Sequence, residues 1–349
     1  MTRSKKRGRN SARMRRMRRR RIRNTILLLF LMAAVAAAAG AVIYFIRGGL
    51  SVAPAVPYDS AREFESTVIT KEDPKAESFA HDLCVVVSDL PMDAVSLDAE
   101  QEGLLLNLGD REVMFSKGAF DRVYPASITK IMTAMLALKY GNLSDTVVIT
   151  QENVTLEEGS QVCGFIAGDQ LTLDQLLHCL LVYSGNDAAS AIADYIGGST
   201  SGFVEMMNSY AAELGCTGTH FTNPHGLQDE NHYTTPYDIY LMLKEALNYP
   251  EFTQITQMPS YTVEYTRADG TMMSTVLTAT DHYLTGEATP PRDVTVLGGK
   301  TGTTSLAGNC LALLSQNAYG KPYISIVMGA STKELLYQQM NSLLQNING

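Results

Sequence analysis

The sequence predicts an α+β domain behind a single membrane-spanning helix, and three observations predict it. Within residues 81–349, period-two apolar segments stand near both ends while helical periods fill the middle, so one sheet is assembled from amino- and carboxy-terminal pieces with helices against it. The gaps between the late strand-like segments, Ser305–Gly308 and Asn317–Lys321, are turn-sized and suit antiparallel neighbours. Ahead of these lie about 22 uncharged residues, 25–46, which at 1.5 Å per residue reach roughly 33 Å, enough for a hydrocarbon core of about 30 Å.

Charge is divided as sharply as hydropathy. Residues 1–50 hold 14 Lys or Arg and no acid, so the other 14 basic residues face all 36 acids, a balance of −22 hidden inside a net −8. Thirteen of the basic residues fall between Arg3 and Arg23, and such a block alone reads as a nucleic-acid tail. The apolar run directly behind it argues instead for a basic cytoplasmic tail, 1–24, a transmembrane signal-anchor, 25–46, and an extracytoplasmic remainder, with no nucleic-acid partner. A cleaved signal peptide is the competing reading, with small residues at Ala33–Ala39 for the cut; against it, the apolar run continues through Val42–Ile46. Residues 47–80, with Pro54, Pro57 and Pro74 and no sustained period, read as an extracytoplasmic linker, and 81–349 as the folded domain.

LCVVVSDL, 83–90, is a first strand or a lead-in to the domain. EGLLLNL, Gly109-Asp110 and REVMFSKG read as a hairpin. In YPASITKIMTAMLALKY, Pro125 precedes Ile131, Met132, Met135, Leu136 and Leu138 at helical spacing, which puts Ser127 in the first turn of a buried helix. Residues 141–170 offer short strand and loop segments such as TVVIT. Thr172 and Gln175 have the form of a capping box before Leu176, Leu177, Leu180 and Leu181, and this helix ends near Tyr183. Ser184-Gly-Asn186-Asp then forms a tight turn into another helix through Ile192 and Ile196. Further helices follow, one ending at Gly215 and one opening at Thr235-Pro236, so the middle reads as mostly helical. DVTVLGGKTGTT, GNCLALLSQ and PYISIVMG are three strands, and Leu335 to Ile347 mark a closing amphipathic helix.

Three short motifs carry chemistry. Ser127 and Lys130, three apart on a helix, share a face, which suits a serine nucleophile with a lysine base, although a lone Ser-x-x-Lys is more often a helix start with a surface lysine. Ser184 and Asn186 flank a turn, a weaker signal still. Lys300, Thr301, Gly302 and Thr303 end a strand entered through Gly298 and Gly299, where glycines mark close approach of a backbone or ligand. Five cysteines, an odd number with no CxxC, describe no disulfide framework. Six histidines show no HExxH, and His225 and His232 lie seven apart in a loop-like stretch, so no metal site is expected.

The trio in this order is the motif set of serine β-lactamases and penicillin-binding proteins. With PASITKIMTAMLAL, YSGNDAASAIA, FTNPHGLQDENHYTTPYDI and GGKTGTTSLAGNC, the chain resembles the low-molecular-mass penicillin-binding proteins, the D-alanyl-D-alanine carboxypeptidases of serine peptidase family S11, over roughly residues 82–330. The resemblance implies their β-lactamase-like fold, an antiparallel sheet flanked by helices with a helical subdomain. It makes Ser127 the acylated nucleophile and Lys130 its general base. Ser184 relays a proton to the leaving amine, Asn186 holds the peptide, and Lys300, Thr301 and Thr303 receive the terminal carboxylate. The oxyanion hole maps to the N–H groups of Ser127 and Thr303. The implied reaction removes the last D-alanine of a peptidoglycan stem pentapeptide on the outer face of a bacterial membrane, with β-lactams as covalent inhibitors and no metal or organic cofactor. The family often carries a second, β-rich domain and a carboxy-terminal anchor; with about 20 residues after Gly329, the amino-terminal segment is expected to anchor this chain instead. Two alternatives stand beside this: a serine β-lactamase, for which Glu157 or Glu158 would have to activate water, and a non-catalytic penicillin-recognising sensor or scaffold.

Overall fold

The computed structural model describes residues 4–46, 80 and 82–348, and the chain divides into two units, Met1–Ala76 and Glu77–Gly349. The linker read at 47–80 falls almost wholly outside the described residues. Among the described residues of the first unit a single helix, α1, runs Ser4–Ile46. Its stretch Met17–Ile43 reaches a mean hydropathy of 2.8 and buries none of its most apolar window against protein, so it is long and apolar enough to cross a membrane.

In the second unit the first hairpin forms as expected from β1 (Glu102–Asn107) and β2 (Glu112–Lys117). After α2 (Lys130–Tyr140) come β3 (Thr146–Val148), β4 (Gln170–Thr172), α3 (Leu173–His178), α4 (Asn186–Gly197), α5 (Thr200–Glu213), α6 (Pro236–Ala246) and α7 (Pro250–Thr256). Then follow β5 (Ser260–Thr266), β6 (Met272–Thr278), α8 (His282–Thr285), β7 (Val294–Thr304), β8 (Gly308–Asn317), β9 (Pro322–Ala330) and α9 (Lys333–Leu344). The main sheet is antiparallel in the order β2-β1-β9-β8-β7, so the first and last strands of the domain lie side by side.

Both faces of that sheet are covered. Along β1, Leu104 and Leu106 point into the larger core with α2, α3, α4 and α6, while Leu105 points into the smaller core under α9. Period-two alternation with both sides apolar is why the segment reads Leu-Leu-Leu, and full burial of each is worth about 1.5–3 kcal/mol. The expected capping box is present: Thr172 Oγ1 accepts from Gln175 N at 3.2 Å and the Gln175 side chain accepts from Thr172 N at 2.8 Å. That start fixes where α3 begins, and with it where its far end delivers Ser184.

One expectation needs correction and two readings are narrowed or completed. Of the two readings of LCVVVSDL the lead-in holds: only Leu90 bridges Ser116, and Val85 and Val87 are exposed while Cys84 and Val86 are buried. The mostly helical middle is followed by a hairpin that the sequence reading does not include, β5 paired with β6 in a second sheet, β3-β4-β5-β6. Tyr261, Val263 and Tyr265 alternate with polar residues there, a period-two signal in plain view. Ser127 sits in a tight 3₁₀ turn, Ala126–Thr129, and the α-helix begins only at Lys130. Ala126, at φ 47°, bars any right-handed helix from extending back beyond Ser127.

Candidate active site

Three chain segments meet at one cleft. The 3₁₀ turn supplies Ser127, half-buried, and Lys130, fully buried at the start of α2. Lys130 Nζ lies 2.9 Å from Ser127 Oγ, 2.6 Å from Asn186 Oδ1 and 2.8 Å from the His225 carbonyl. Three N–H groups of an ammonium satisfy that set, and so does a neutral amine with two N–H groups on the carbonyl oxygens and its lone pair on the hydroxyl proton. Burial foremost, and then the charge of Lys300, push the Lys130 pKa well below its ordinary value.

The second segment is the turn between α3 and α4. The last turn of the preceding helix widens to a π geometry over Cys179–Tyr183 and ends on Ser184 in the left-handed region, φ 68°. This strained exit turns the Ser184 hydroxyl toward the cleft, and Asn186 opens α4. The neighbouring Asp187 carboxylate accepts from the N–H groups of Cys163 and Gly164, each at 3.0 Å, and so ties the loop bearing Gln161 to this turn. Glu157 and Glu158 are exposed and line no part of the cleft.

The third segment is β7, an edge strand whose only ladder partner among the described residues is β8. Lys300 is buried, with Nζ 3.0 Å from Ser184 Oγ and 2.9 Å from the Thr301 carbonyl. Burial lowers its pKa to about 7, partly offset by the negative charge of Asp281. Thr301 Oγ1 shares a hydrogen bond with Thr280 Oγ1, and Thr303 Oγ1 donates to Asn309 Oδ1 at 3.2 Å. Gly302 is required by close approach: a Cβ there would lie 2.9 Å from the Pro125 carbonyl oxygen and 3.0 Å from Ser127 N.

The structure therefore brings together all eight residues singled out in the sequence. Ser127, Ser184, Thr301, Gly302 and Thr303 line the cleft, and Lys130, Asn186 and Lys300 stand behind that lining. Gln161, Thr280, His282, Asn309, Lys333 and Tyr337 also line it and were not singled out. His225 was missed because its contribution is a backbone carbonyl, for which no side-chain pattern exists. The block FTNPHGLQDENHYTTPYDI was the available signal. All five cysteines are free thiols.

The family described as D-alanyl-D-alanine carboxypeptidase, peptidase S11, matches residues 94–332. The chain is 34% identical over 249 residues to D-alanyl-D-alanine carboxypeptidase DacF of Bacillus subtilis (strain 168), covering 70% of this chain and 61% of that protein. It is 32% identical over 265 residues to D-alanyl-D-alanine carboxypeptidase DacC of Escherichia coli (strain K12), covering 72% and 62%. It thus spans about three fifths of the length of these relatives. The crystal structure of the Streptomyces K15 DD-transpeptidase superposes with a TM-score of 0.65 at 27% identity, over 74% of this chain and 98% of that one.

Proposed function

The chain belongs to the D-alanyl-D-alanine carboxypeptidase family, peptidase S11, and from that premise we propose that it is a serine carboxypeptidase removing the terminal D-alanine from peptidoglycan stem pentapeptides. The observation that carries the proposal is the fully buried Lys130 amine 2.9 Å from Ser127 Oγ, its other contacts being two carbonyl oxygens. A lysine in this setting serves as a base near neutral pH.

In the proposed reaction the substrate backbone lies along the edge of β7 that faces away from β8. Its terminal carboxylate meets Lys300 and the hydroxyls of Thr301 and Thr303, and Asn186 holds the peptide. Lys130 takes the Ser127 proton as Oγ attacks the carbonyl of the penultimate residue. The oxyanion forms between the N–H groups of Ser127 and Thr303, each such donor being worth about 10²–10³ in rate. The leaving amine of D-alanine collects a proton through Ser184, and water then releases the acyl-enzyme with Lys130 again as base. β-Lactams acylate the same serine. Because no carboxylate side chain lines the cleft among the described residues, the adduct is expected to persist, which separates this reading from a β-lactamase. The catalytic unit acts outside the cell membrane, with α1 as its anchor.

Full-length protein in detergent, treated with benzylpenicillin and followed by intact mass, tests the reading. A single long-lived adduct, absent in Ser127→Ala, together with D-alanine release from a pentapeptide, is the expected result. Drug consumed without an adduct would transfer the function to a β-lactamase; neither adduct nor consumption would leave a binding protein.

A further inference from the structure

Behind the nucleophile, away from the cleft, the loop of residues 222–232 grips the Ser127 turn at several points. The Pro224 carbonyl accepts from Thr133 Oγ1 at 2.6 Å, and the His225 carbonyl accepts from Lys130 Nζ. Gly226, φ 88°, presses on the Ala126 carbonyl so closely that a Cβ would lie 1.8 Å from its oxygen. The remaining grip is a directed chain of hydrogen bonds. His232, buried and outside the cleft lining, has Nδ1 3.0 Å from the Thr222 N–H, so Nδ1 carries the lone pair and Nε2 the hydrogen. Nε2–H donates to Thr129 Oγ1 at 2.8 Å, and the Thr129 hydroxyl donates to the Ala126 carbonyl at 2.8 Å.

That carbonyl matters because of peptide geometry. The C=O of Ala126 and the N–H of Ser127 belong to one planar trans unit, in which the two point in opposite directions. Holding the oxygen back against Thr129 and Gly226 aims the N–H forward. Ala126 adopts φ 47°, a left-handed conformation that costs a non-glycine residue about 1–2 kcal/mol, so something must hold it.

We propose that His232 is a positioning residue for acylation: through Thr129 it holds the Ala126–Ser127 peptide so that the Ser127 N–H faces the oxyanion. The role rests on the reading of function above. Burial keeps the imidazole neutral, lowering its pKa to about 4 against the opposing influence of Asp229 and with a small push from His220, so the donor–acceptor order persists through the working pH range.

The test compares Thr129→Val, His232→Phe, the double variant, and the conservative His232→Gln and Thr129→Ser, all full length. Benzylpenicillin acylation is resolved into pre-acylation Kd and acylation rate constant, with melting curves to establish folding. Thr129→Val and His232→Phe are expected to lower the rate constant by about 10- to 100-fold with Kd unchanged, less than outright loss of a donor. The double variant should be no slower than the worse single one, since both cut the same chain. Thr129→Ser should keep the wild-type rate, and His232→Gln, whose amide both donates and accepts, should recover much of it. Folded Thr129→Val acylating at the wild-type rate, an effect confined to Kd, or additive singles would overturn the role. Should His232→Phe fail to fold, Thr129→Val decides alone. A wild-type chain that forms no adduct overturns the functional reading, and the positioning role with it.

Discussion

Lys130 and Lys300 are both buried, and each occupies a setting that a solvated lysine never meets. On the proposed mechanism they need opposite charges, Lys130 neutral to accept a proton and Lys300 protonated to hold a carboxylate. Their mutual repulsion supports the split, since a charged Lys300 lowers the pKa of Lys130. With Lys300 titrating at about 7, kcat/KM for a carboxylate-terminated peptide is expected to fall as pH rises through that value, chiefly through KM. Lys300→Arg, whose guanidinium stays charged, should remove the alkaline limb; an identical limb in that variant would place the titrating group elsewhere. Stability carries the opposite sign. The folded pKa of Lys300 lies below its ordinary 10.5, so between about 7 and 10.5 the unfolded chain binds more protons, and the cost of burying this lysine shrinks as pH rises. Lys300→Met is accordingly expected to abolish peptide turnover yet raise the melting temperature at pH 7, corresponding to about 1–3 kcal/mol. A lower melting temperature would mean that the contacts to Ser184 and Thr301 outweigh desolvation.

At the scale of elements, the cleft is set by how closely β7 passes the Ser127 turn, and Gly302 sets that distance. Gly302→Ala would place a methyl against Pro125 O and Ser127 N, forcing the two proposed oxyanion donors apart. Acylation is expected to slow by about 10²-fold or more while the melting temperature moves little; retention of the acylation rate would show that the strand yields. Much of this arrangement was open to a reader of the sequence. Gly298-Gly299 before Lys300 signalled a close approach, the capping box at Thr172 fixed the helix that ends at Ser184, and the apolar alternation gave the strands of the main sheet. What escaped has physical causes. In the β5–β6 hairpin only β5 shows the alternation; β6, MMSTVLT, sets its apolar residues in adjacent pairs that follow no period of two. The tight turn at Ala126 depends on a left-handed residue that is neither Gly, Asn nor Asp, a choice enforced by the loop 222–232 rather than by local preference. Pro224 and His225 act through backbone carbonyls, which any residue could supply.

For the whole molecule, the unequal division of charge predicts topology. All the acids of the chain lie beyond residue 50, while α1 begins in a block of arginines and lysines and becomes apolar over the stretch that can cross a bilayer. Basic residues next to a span are retained on the cytoplasmic side, so the amino terminus is expected inside and the catalytic unit outside, where its proposed substrate is. In intact cells a fluorescent penicillin should label the protein, and protease added to sealed spheroplasts should remove the catalytic unit while leaving an amino-terminal tag protected. The full chain should stay with the membrane after alkaline carbonate, and deletion of residues 1–46 should release it. A tag degraded from outside would reverse the orientation. A mature protein lacking the apolar segment would instead show that the helix is a cleaved signal, leaving the enzyme without its anchor and the basic tail with a role in export alone.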